Sequence, residues 1–119
     1  MSAAPTIFVS IASYCDPMLA FTIASARAQA SDPSRIHIGI VEQQVNGQHL
    51  RPLDEWSRRH LRFTRVDALE ARGPCWARAT AMGLYQGEDW YLQIDSHMWF
   101  EPGWDERLVA WGRWCEERN

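Results

Sequence analysis

Hydrophobic and polar positions recur along the chain with two different periods, and each change of period predicts a change of secondary structure. The run from Thr6 to Ala12 is apolar and β-branched, which predicts a strand. Asp16 and Pro17 then match the pattern of a helix N-cap residue followed by proline at the first helical position. A helix from Pro17 to about Ala30 follows, because apolar residues recur at helical spacing: Leu19, Ile23, Ala26 and Ala30.

The middle of the chain continues this alternation with weaker signals. Arg35 to Val41 predicts a second strand, and its end is apolar on both faces, which is typical of a strand buried under helices. Residues 44–61 are polar and poorly periodic, with a short helix predicted from Leu53 to His60. A third strand is expected from Leu61 to Val66.

The second half repeats the order of helix and strand. A helix is predicted from Pro74 to about Tyr85, a fourth strand from Trp90 to Ile94 and a last helix from near Asp105. Alternating strands and helices predict an α/β fold with a mostly parallel sheet and right-handed crossovers. At 119 residues the chain has room for one domain, residues 1–119, and one core.

The predicted topology selects a candidate site before any motif is considered. In open parallel sheets, ligands bind outside the carboxyl ends of the strands. Three segments follow those ends and should converge on one rim: Ala12 to Asp16, Glu42 to Gln44, and Asp95 to His97.

Composition narrows the range of partners. The formal charge is -3 and all twelve basic residues are arginine, which gives no diffuse basic field of the kind that holds a phosphate backbone, so a nucleic-acid partner is not expected. Three widely spaced cysteines indicate a reducing compartment. The first residues have neither a basic region nor a long apolar stretch, so we expect a cytoplasmic protein without membrane attachment. Seven tryptophans are expected mostly to fill the core or cover an interface, and a homodimer is an open alternative.

Asp95 and His97 are the candidate metal ligands. Side chains at positions i and i+2 of an extended backbone point to the same side, so both could bind one ion. A carboxylate with an imidazole suits Mn²⁺ better than Mg²⁺, which prefers oxygen ligands. The alternative is an N-capping aspartate followed by a hydrogen-bonded loop histidine.

Three ordered blocks of sequence carry a family resemblance. They are residues 7–14 (IFVSIASY) with Asp16-Pro17, residues 70–78 (EARGPCWAR), and residues 91–98 (YLQIDSHM) with residues 102–105 (PGWD). Together they resemble the GlcNAc-transferring glycosyltransferases that modify protein hydroxyl groups in the cytoplasm, typified by the Skp1 hydroxyproline enzyme. The Asp-Ser-His run is also similar to the metal motif of polypeptide GalNAc-transferases.

The resemblance implies a Rossmann-like GT-A nucleotide-diphospho-sugar-binding domain in which an Asp-x-His element holds the metal of the donor. It implies UDP-GlcNAc as donor, a protein or glycan hydroxyl as acceptor, and retention of anomeric configuration. Asp95 would then contact both the metal and the donor. The protein is accordingly expected to be a metal-dependent hexosyltransferase.

Further donor contacts follow from the matching positions. Ala12, Ser13 and Tyr14 match the loop that holds uridine, and Tyr14 could stack on the base or simply be a loop aromatic. Arg72 and Arg78 flank a helix start, which favours a diphosphate, although either could instead pair with Glu70 or Asp67. Glu42 could contact the ribose or uracil, or be a solvated strand end.

Two features of the family are not found in this sequence. A third metal ligand, commonly a downstream histidine, has no counterpart because no histidine follows His97. The acceptor-binding half would lie beyond Asn119. The chain is therefore expected to be a truncated, N-terminal donor-binding part, and a catalytically inactive nucleotide-sugar-binding or interaction module is the alternative.

Overall fold

The computed structural model describes residues 4–118, which form four strands and four helices in strict alternation. The strands are β1 (Ile7–Tyr14), β2 (Ile36–Gln44), β3 (Leu61–Asp67) and β4 (Trp90–Asp95). The helices are α1 (Leu19–Gln29), α2 (Glu55–His60), α3 (Pro74–Met82) and α4 (Trp104–Arg118). All eight predicted elements are present, and the predicted α/β class is confirmed. The predicted domain limits at residues 1 and 119 lie outside the described residues.

The four strands form one parallel sheet in the order β3-β2-β1-β4. β1 lies in the interior of this sheet, paired with β2 on one side and with β4 on the other. Ile7 is in register with Ile36 of β2 and with Trp90 of β4, so the three strands begin together, and β4 ends at Asp95 opposite Ala12. Their carboxyl ends therefore share one edge.

The two faces of the sheet are covered by different helices. On one face Ile7, Val9 and Ile11 pack with residues of β2, α1 and α4 into the larger core. On the other face Val41 packs with two alanines of α3, Ala77 and Ala81. Successive side chains of a strand point to opposite faces of the sheet. Alternate positions of β1 therefore face the layer of α1 and α4 or the layer of α3.

Asp105 ties the start of α4 to the end of α1. Its side chain is fully buried and accepts hydrogen bonds from the N–H groups of Ser31 (2.8 Å) and Asp32 (3.0 Å). The buried guanidinium of Arg35 completes the set, at 3.0 Å through Nη2 and 3.1 Å through Nε. Next to it, Trp104 Nε1 donates to the Ala26 carbonyl. The last helix is thereby fixed to the sheet.

Several element boundaries differ from the prediction by one to three residues, and three of the differences have identifiable reasons. Helix α1 begins at Leu19 rather than Pro17, because the side chain of Asp16 accepts from Met18 N–H and forms a separate turn. Strand β2 continues beyond its apolar run to Gln44, since its pairing with β1 and β3 extends that far. Helix α3 ends at Met82, where Gly83 caps it.

The tryptophans only partly fulfil the expectation of a core role. Trp104 is buried, and three others are half-buried: Trp56, Trp76 and Trp90. The remaining three are exposed: Trp99, Trp111 and Trp114. Over residues 4–118, no helix has both the length and the apolar character required to cross a bilayer.

Replacing Asp105 by Asn should destabilise the fold strongly. The substitution leaves the guanidinium of Arg35 buried without a counter-charge, which costs about 3–5 kcal/mol. Urea denaturation measures the loss, and Glu106→Gln on the exposed neighbouring position is the control, with an expected change below about 0.5 kcal/mol. A D105N variant as stable as the wild type would contradict this role of Asp105.

The same carboxylate should make stability depend on pH. Burial raises the pKa of Asp105, but the N–H groups of Ser31 and Asp32 and the Arg35 guanidinium lower it by more, so its pKa lies below the ordinary value. Its stabilising effect is therefore present above the unfolded-state pKa of about 3.9 and lost as the pH falls through the folded-state pKa. Acid titration should show a steeper loss of unfolding free energy in the wild type than in D105N.

Candidate functional site

The carboxyl edge of the sheet brings the predicted site segments together. Ala12 of β1 is in register with Val41 of β2 and with Asp95 of β4. The segments Ala12–Asp16, Glu42–Gln44 and Asp95–His97 therefore meet at one rim, as the topology predicted. Their side chains nevertheless divide between the two faces of the sheet.

A cleft of about 350 Å³ opens on the α3 side of this rim. Tyr14, which is 60% exposed, borders it at the end of β1. The start of α3 forms another wall, where Gly73 has a φ of 91° that favours glycine and turns the chain into the helix. The lining residues are Ala12, Tyr14, Gln43, Ala68, Ala71, Gly73, Pro74 and Ala77.

Ser13 and Glu42 point to the opposite face and are fully buried. Glu42 Oε2 accepts from Leu50 N–H at 2.7 Å, and its Oε1 lies 3.3 Å from His49 Nδ1 and 3.6 Å from Arg65 Nε. These contacts fix the loop after β2, and Leu50 packs against the core. Glu42 is therefore not a solvated strand end, because its buried carboxylate anchors a loop, and its contact with the donor stays a prediction.

Asp95 and Arg78 face each other in a second hollow on the α3 side of the rim, which is not part of the cleft. Arg78 Nη2 lies 3.9 Å from Asp95 Oδ1, and the two side chains are 49% and 60% exposed. Arg78 thus faces Asp95, and neither Glu70 nor Asp67. Arg72 is placed differently, because it borders a separate hollow with Glu70 and Trp76. The two arginines flank the start of α3, but only Arg78 lies beside Asp95.

His97 lies on the other side of the β4 end and contacts Asp16. The strand stops at Asp95 and the backbone bends at Ser96 and His97, so the extended geometry expected of an Asp-x-His run ends one residue early. His97 Nδ1 lies 3.0 Å from Asp16 Oδ2, and the same oxygen accepts from Ser96 Oγ at 2.6 Å. The imidazole itself is 65% exposed.

Thr22 of α1 supports the bend from beneath. Its buried hydroxyl donates to the Ser96 carbonyl at 2.7 Å and accepts from Met98 N–H at 3.0 Å. Backbone groups on both sides of His97 are therefore held by one side chain of the neighbouring helix. The bend is therefore held in place by hydrogen bonds to helix α1.

Asp16 connects the β1 end to the β4 end. Cys15, with a φ of 47°, reverses the chain after β1, and Cys15 N–H donates to the Gln43 carbonyl. The hydrogen bond from the Ser96 hydroxyl lowers the pKa of Asp16, and burial raises it. The Met18 N–H group and His97 lower it further, so the pKa of this carboxyl lies below its ordinary value. Asp16 is therefore an ionised acceptor at neutral pH.

The rim carries the two side chains that the sequence predicted as metal ligands. Among residues 4–118, no three His, Cys, Asp or Glu side chains are grouped as a complete protein metal site would need. Asp95 and His97 nevertheless present an exposed carboxylate and an exposed imidazole from one strand end. By chemical type these two donors suit a borderline divalent ion such as Mn²⁺, while the bend at Ser96 turns the imidazole toward Asp16 and leaves the carboxylate facing Arg78.

The sequence predicted that Asp16 would lie in a rim segment but gave it no role in the site, and it did not indicate Thr22. Asp16 has the sequence of a helix cap, and Thr22 is an ordinary helical residue, so neither carries a local signal. Their contacts span 80 and 74 positions of the chain. The Asp16-Pro17 pair within the first family block was the available hint.

Comparison with known families decides the class of the protein. The family model described as Glycosyltransferase (GlcNAc) matches residues 6–54 and residues 45–119, two overlapping segments that together cover almost the whole chain. The chain belongs to this glycosyltransferase family. Searches of curated proteins and of solved structures gave no match. The rim described above is accordingly the candidate site of a transferase.

In this glycosyltransferase, Glu42→Ala should loosen the loop after β2. The variant leaves Leu50 N–H without its acceptor, which costs about 1–3 kcal/mol. Hydrogen exchange of the Leu50 amide should become faster, and urea denaturation should show the loss of stability. Glu55→Ala, which removes an exposed ion pair with Arg59, is the control and should change stability by less than about 1 kcal/mol. Unchanged exchange at Leu50 would refute the anchoring role.

Proposed function

We propose that the rim binds UDP-GlcNAc with a divalent metal, as the donor half of a GT-A enzyme of the Skp1 hydroxyproline type. The observation that carries the proposal is the pairing of Arg78 with Asp95 at the end of β4, on the same edge of the sheet as the cleft bordered by Tyr14. A cation for phosphate and a carboxylate for metal thus stand at the ligand-binding edge of a parallel sheet.

The cleft has the properties that a nucleoside requires. Its volume of about 350 Å³ falls in the range of small-molecule pockets. Tyr14 is exposed enough to stack on uracil, and Ala12 leaves room at the strand end. Ser13 is buried on the other face, so in this proposal it contributes backbone geometry and not its hydroxyl.

The diphosphate would lie between the start of α3 and the end of β4. The first N–H groups of α3 have no partners within the helix, and they favour an anion together with the helix dipole. Arg78 adds a guanidinium on the same helix and lies beside Asp95, whereas Arg72 lines a different hollow with Glu70 and Trp76. We therefore assign the main phosphate contact to Arg78.

Asp95 and His97 would hold the metal, with Mn²⁺ preferred over Mg²⁺ because one ligand is an imidazole. When bound, the ion neutralises charge on the diphosphate leaving group. In the transfer, the bond between the anomeric carbon and the β-phosphate oxygen breaks. A new bond forms to the hydroxyl oxygen of a protein or glycan acceptor, which loses its proton, with retention of configuration. We place the reaction in the cytoplasm, consistent with the three free, exposed cysteines.

A second candidate function is a nucleotide-sugar-binding or interaction module without turnover. It is favoured by the lack of a three-residue ligand cluster in residues 4–118 and by the exposed Trp111 and Trp114 of α4. The two candidates differ in a direct assay. Incubation with UDP-GlcNAc, Mn²⁺ and a hydroxyproline peptide releases UDP only if the chain turns over.

Asp95→Ala should abolish the metal dependence of donor binding. Wild-type chain is titrated with UDP-GlcNAc in a calorimeter, with Mn²⁺ and with a chelator, and tighter binding is expected with Mn²⁺. In D95A the two affinities should be equal, while circular dichroism shows an intact fold. Glu116→Ala, an exposed substitution on α4, is the control and should retain the Mn²⁺ effect. A D95A variant that keeps it would refute the assigned role.

Arg78→Ala should weaken binding of UDP about tenfold or more, because a charge-assisted hydrogen bond contributes about 1.5–3 kcal/mol. Binding of uridine, which has no phosphate, should be unaffected. Arg72→Ala is the comparison on the other side of the helix start, and we expect a smaller effect. Equal losses of UDP and uridine affinity in R78A would argue against a phosphate contact.

A further inference from the structure

Asp16 joins the loop after β1 to the loop after β4. Its side chain is 15% exposed and lies at the turn after β1. Oδ1 accepts from Met18 N–H at 2.8 Å, while Oδ2 accepts from Ser96 Oγ at 2.6 Å and faces His97 Nδ1 at 3.0 Å. Three donors from two loops therefore converge on one carboxylate.

This arrangement requires an acceptor on both oxygens. A carboxylate accepts through both atoms, whereas an asparagine presents one carbonyl oxygen and one NH₂ donor. Because Oδ2 can only accept, His97 Nδ1 must carry the proton. The unprotonated nitrogen of the neutral ring is then Nε2, the nitrogen that is not held by Asp16.

We propose that Asp16 is a positioning residue that fixes His97 in the Nδ1–H tautomer, so that Nε2 is the nitrogen presented to a metal. The inference rests on the proposed function, in which His97 is a metal ligand. Carboxylates that accept from the second nitrogen of a ligating histidine orient the ring and raise its basicity. Thr22 supports the same role by holding the backbone on both sides of His97.

The contacts of the second carboxylate oxygen account for an aspartate at this turn. Met18 N–H alone could be satisfied by Asn or Ser, which form similar turns. Only the second oxygen, directed at Ser96 and His97, requires the carboxylate. Asp16→Asn therefore separates the two roles, because an amide that keeps the Met18 bond turns its NH₂ toward His97.

The first test measures the tautomer of His97 in the absence of any metal. Long-range ¹H–¹⁵N NMR spectra, recorded above the pH range of imidazole protonation, distinguish the two neutral forms of each histidine. Wild-type His97 should be the Nδ1–H form, and D16N should shift it toward the Nε2–H form. His60, whose Nδ1 lies 2.7 Å from the Ile36 carbonyl, is an internal reference that should stay Nδ1–H.

The second test measures how Asp16 affects metal-dependent binding of UDP. Binding of UDP is measured with and without Mn²⁺, and D16N should weaken the Mn²⁺-dependent component about 10–100-fold, as is typical for partners of metal ligands. Asp32→Asn is the matched control. Asp32 accepts from Ser34 N–H in a similar turn but does not contact His97, so tautomer and metal dependence should be unchanged.

The outcomes separate the inference from the proposed function. Wild-type His97 in the Nε2–H form, or a D16N variant with unchanged Mn²⁺-dependent binding, would overturn the role of Asp16 while leaving the donor site intact. A wild-type chain without Mn²⁺-dependent binding would contradict both claims. Asp16→Ala gives a second variant, since it removes the acceptor without adding a donor, and it should also lose the fixed tautomer.

Discussion

The parallel pairing of β1 with both of its neighbours is the constraint on which the rest of the structure depends. β1 forms eight register pairs with β2, at Ile7 to Tyr14 of β1. It forms six with β4, at Ile7 to Ala12 of β1. Its residues Ile7, Phe8, Val9 and Ile11 are fully buried, and each such side chain contributes about 1.5–3 kcal/mol. Because the register is fixed along the whole strand, the residues after β1 and β4 meet at one edge.

The alternation of side chains then divides that edge into two parts. On the α3 side, Ala12, Tyr14 and Asp95 border open space with Arg78. On the other side, Ser13 and Glu42 are buried, and Glu42 holds the loop at Leu50. The open part can bind a ligand because the buried part fixes the loops around it. Asp16 links the turns that follow β1 and β4.

Much of the fold could be predicted from the sequence because it is encoded locally. The apolar runs of the strands and the Gly73-Pro74 start of α3 each carry a signal within a few residues, and the α/β class follows from their alternation. The end of β2 was harder, since Glu42 and Gln43 are polar yet buried, and only pairing with β1 and β3 shows that they belong to a strand.

The site was less predictable because its contacts are distant in sequence. Asp95 and His97 could be found from the end of β4 and from the family blocks. The bend at Ser96, which sends the two side chains to different partners, depends on Thr22, and the partner of His97 depends on the turn at Cys15. Such contacts become visible only when the strands are assembled. Glu42 illustrates the same limit, because its loop partner Leu50 lies in the weakly patterned middle of the chain.

The most direct test of the central claim is the paramagnetic broadening of amide NMR signals by Mn²⁺ bound with UDP. Signals from the rim should broaden selectively, namely those of residues 12–16, Arg78 and residues 95–98. Signals from the end of α4, around Trp114, should remain sharp, and Mg²⁺ with UDP should broaden neither group. Selective broadening at the rim would support the donor site at the carboxyl edge of the sheet. Broadening centred elsewhere, or uniform broadening over the whole chain, would contradict it.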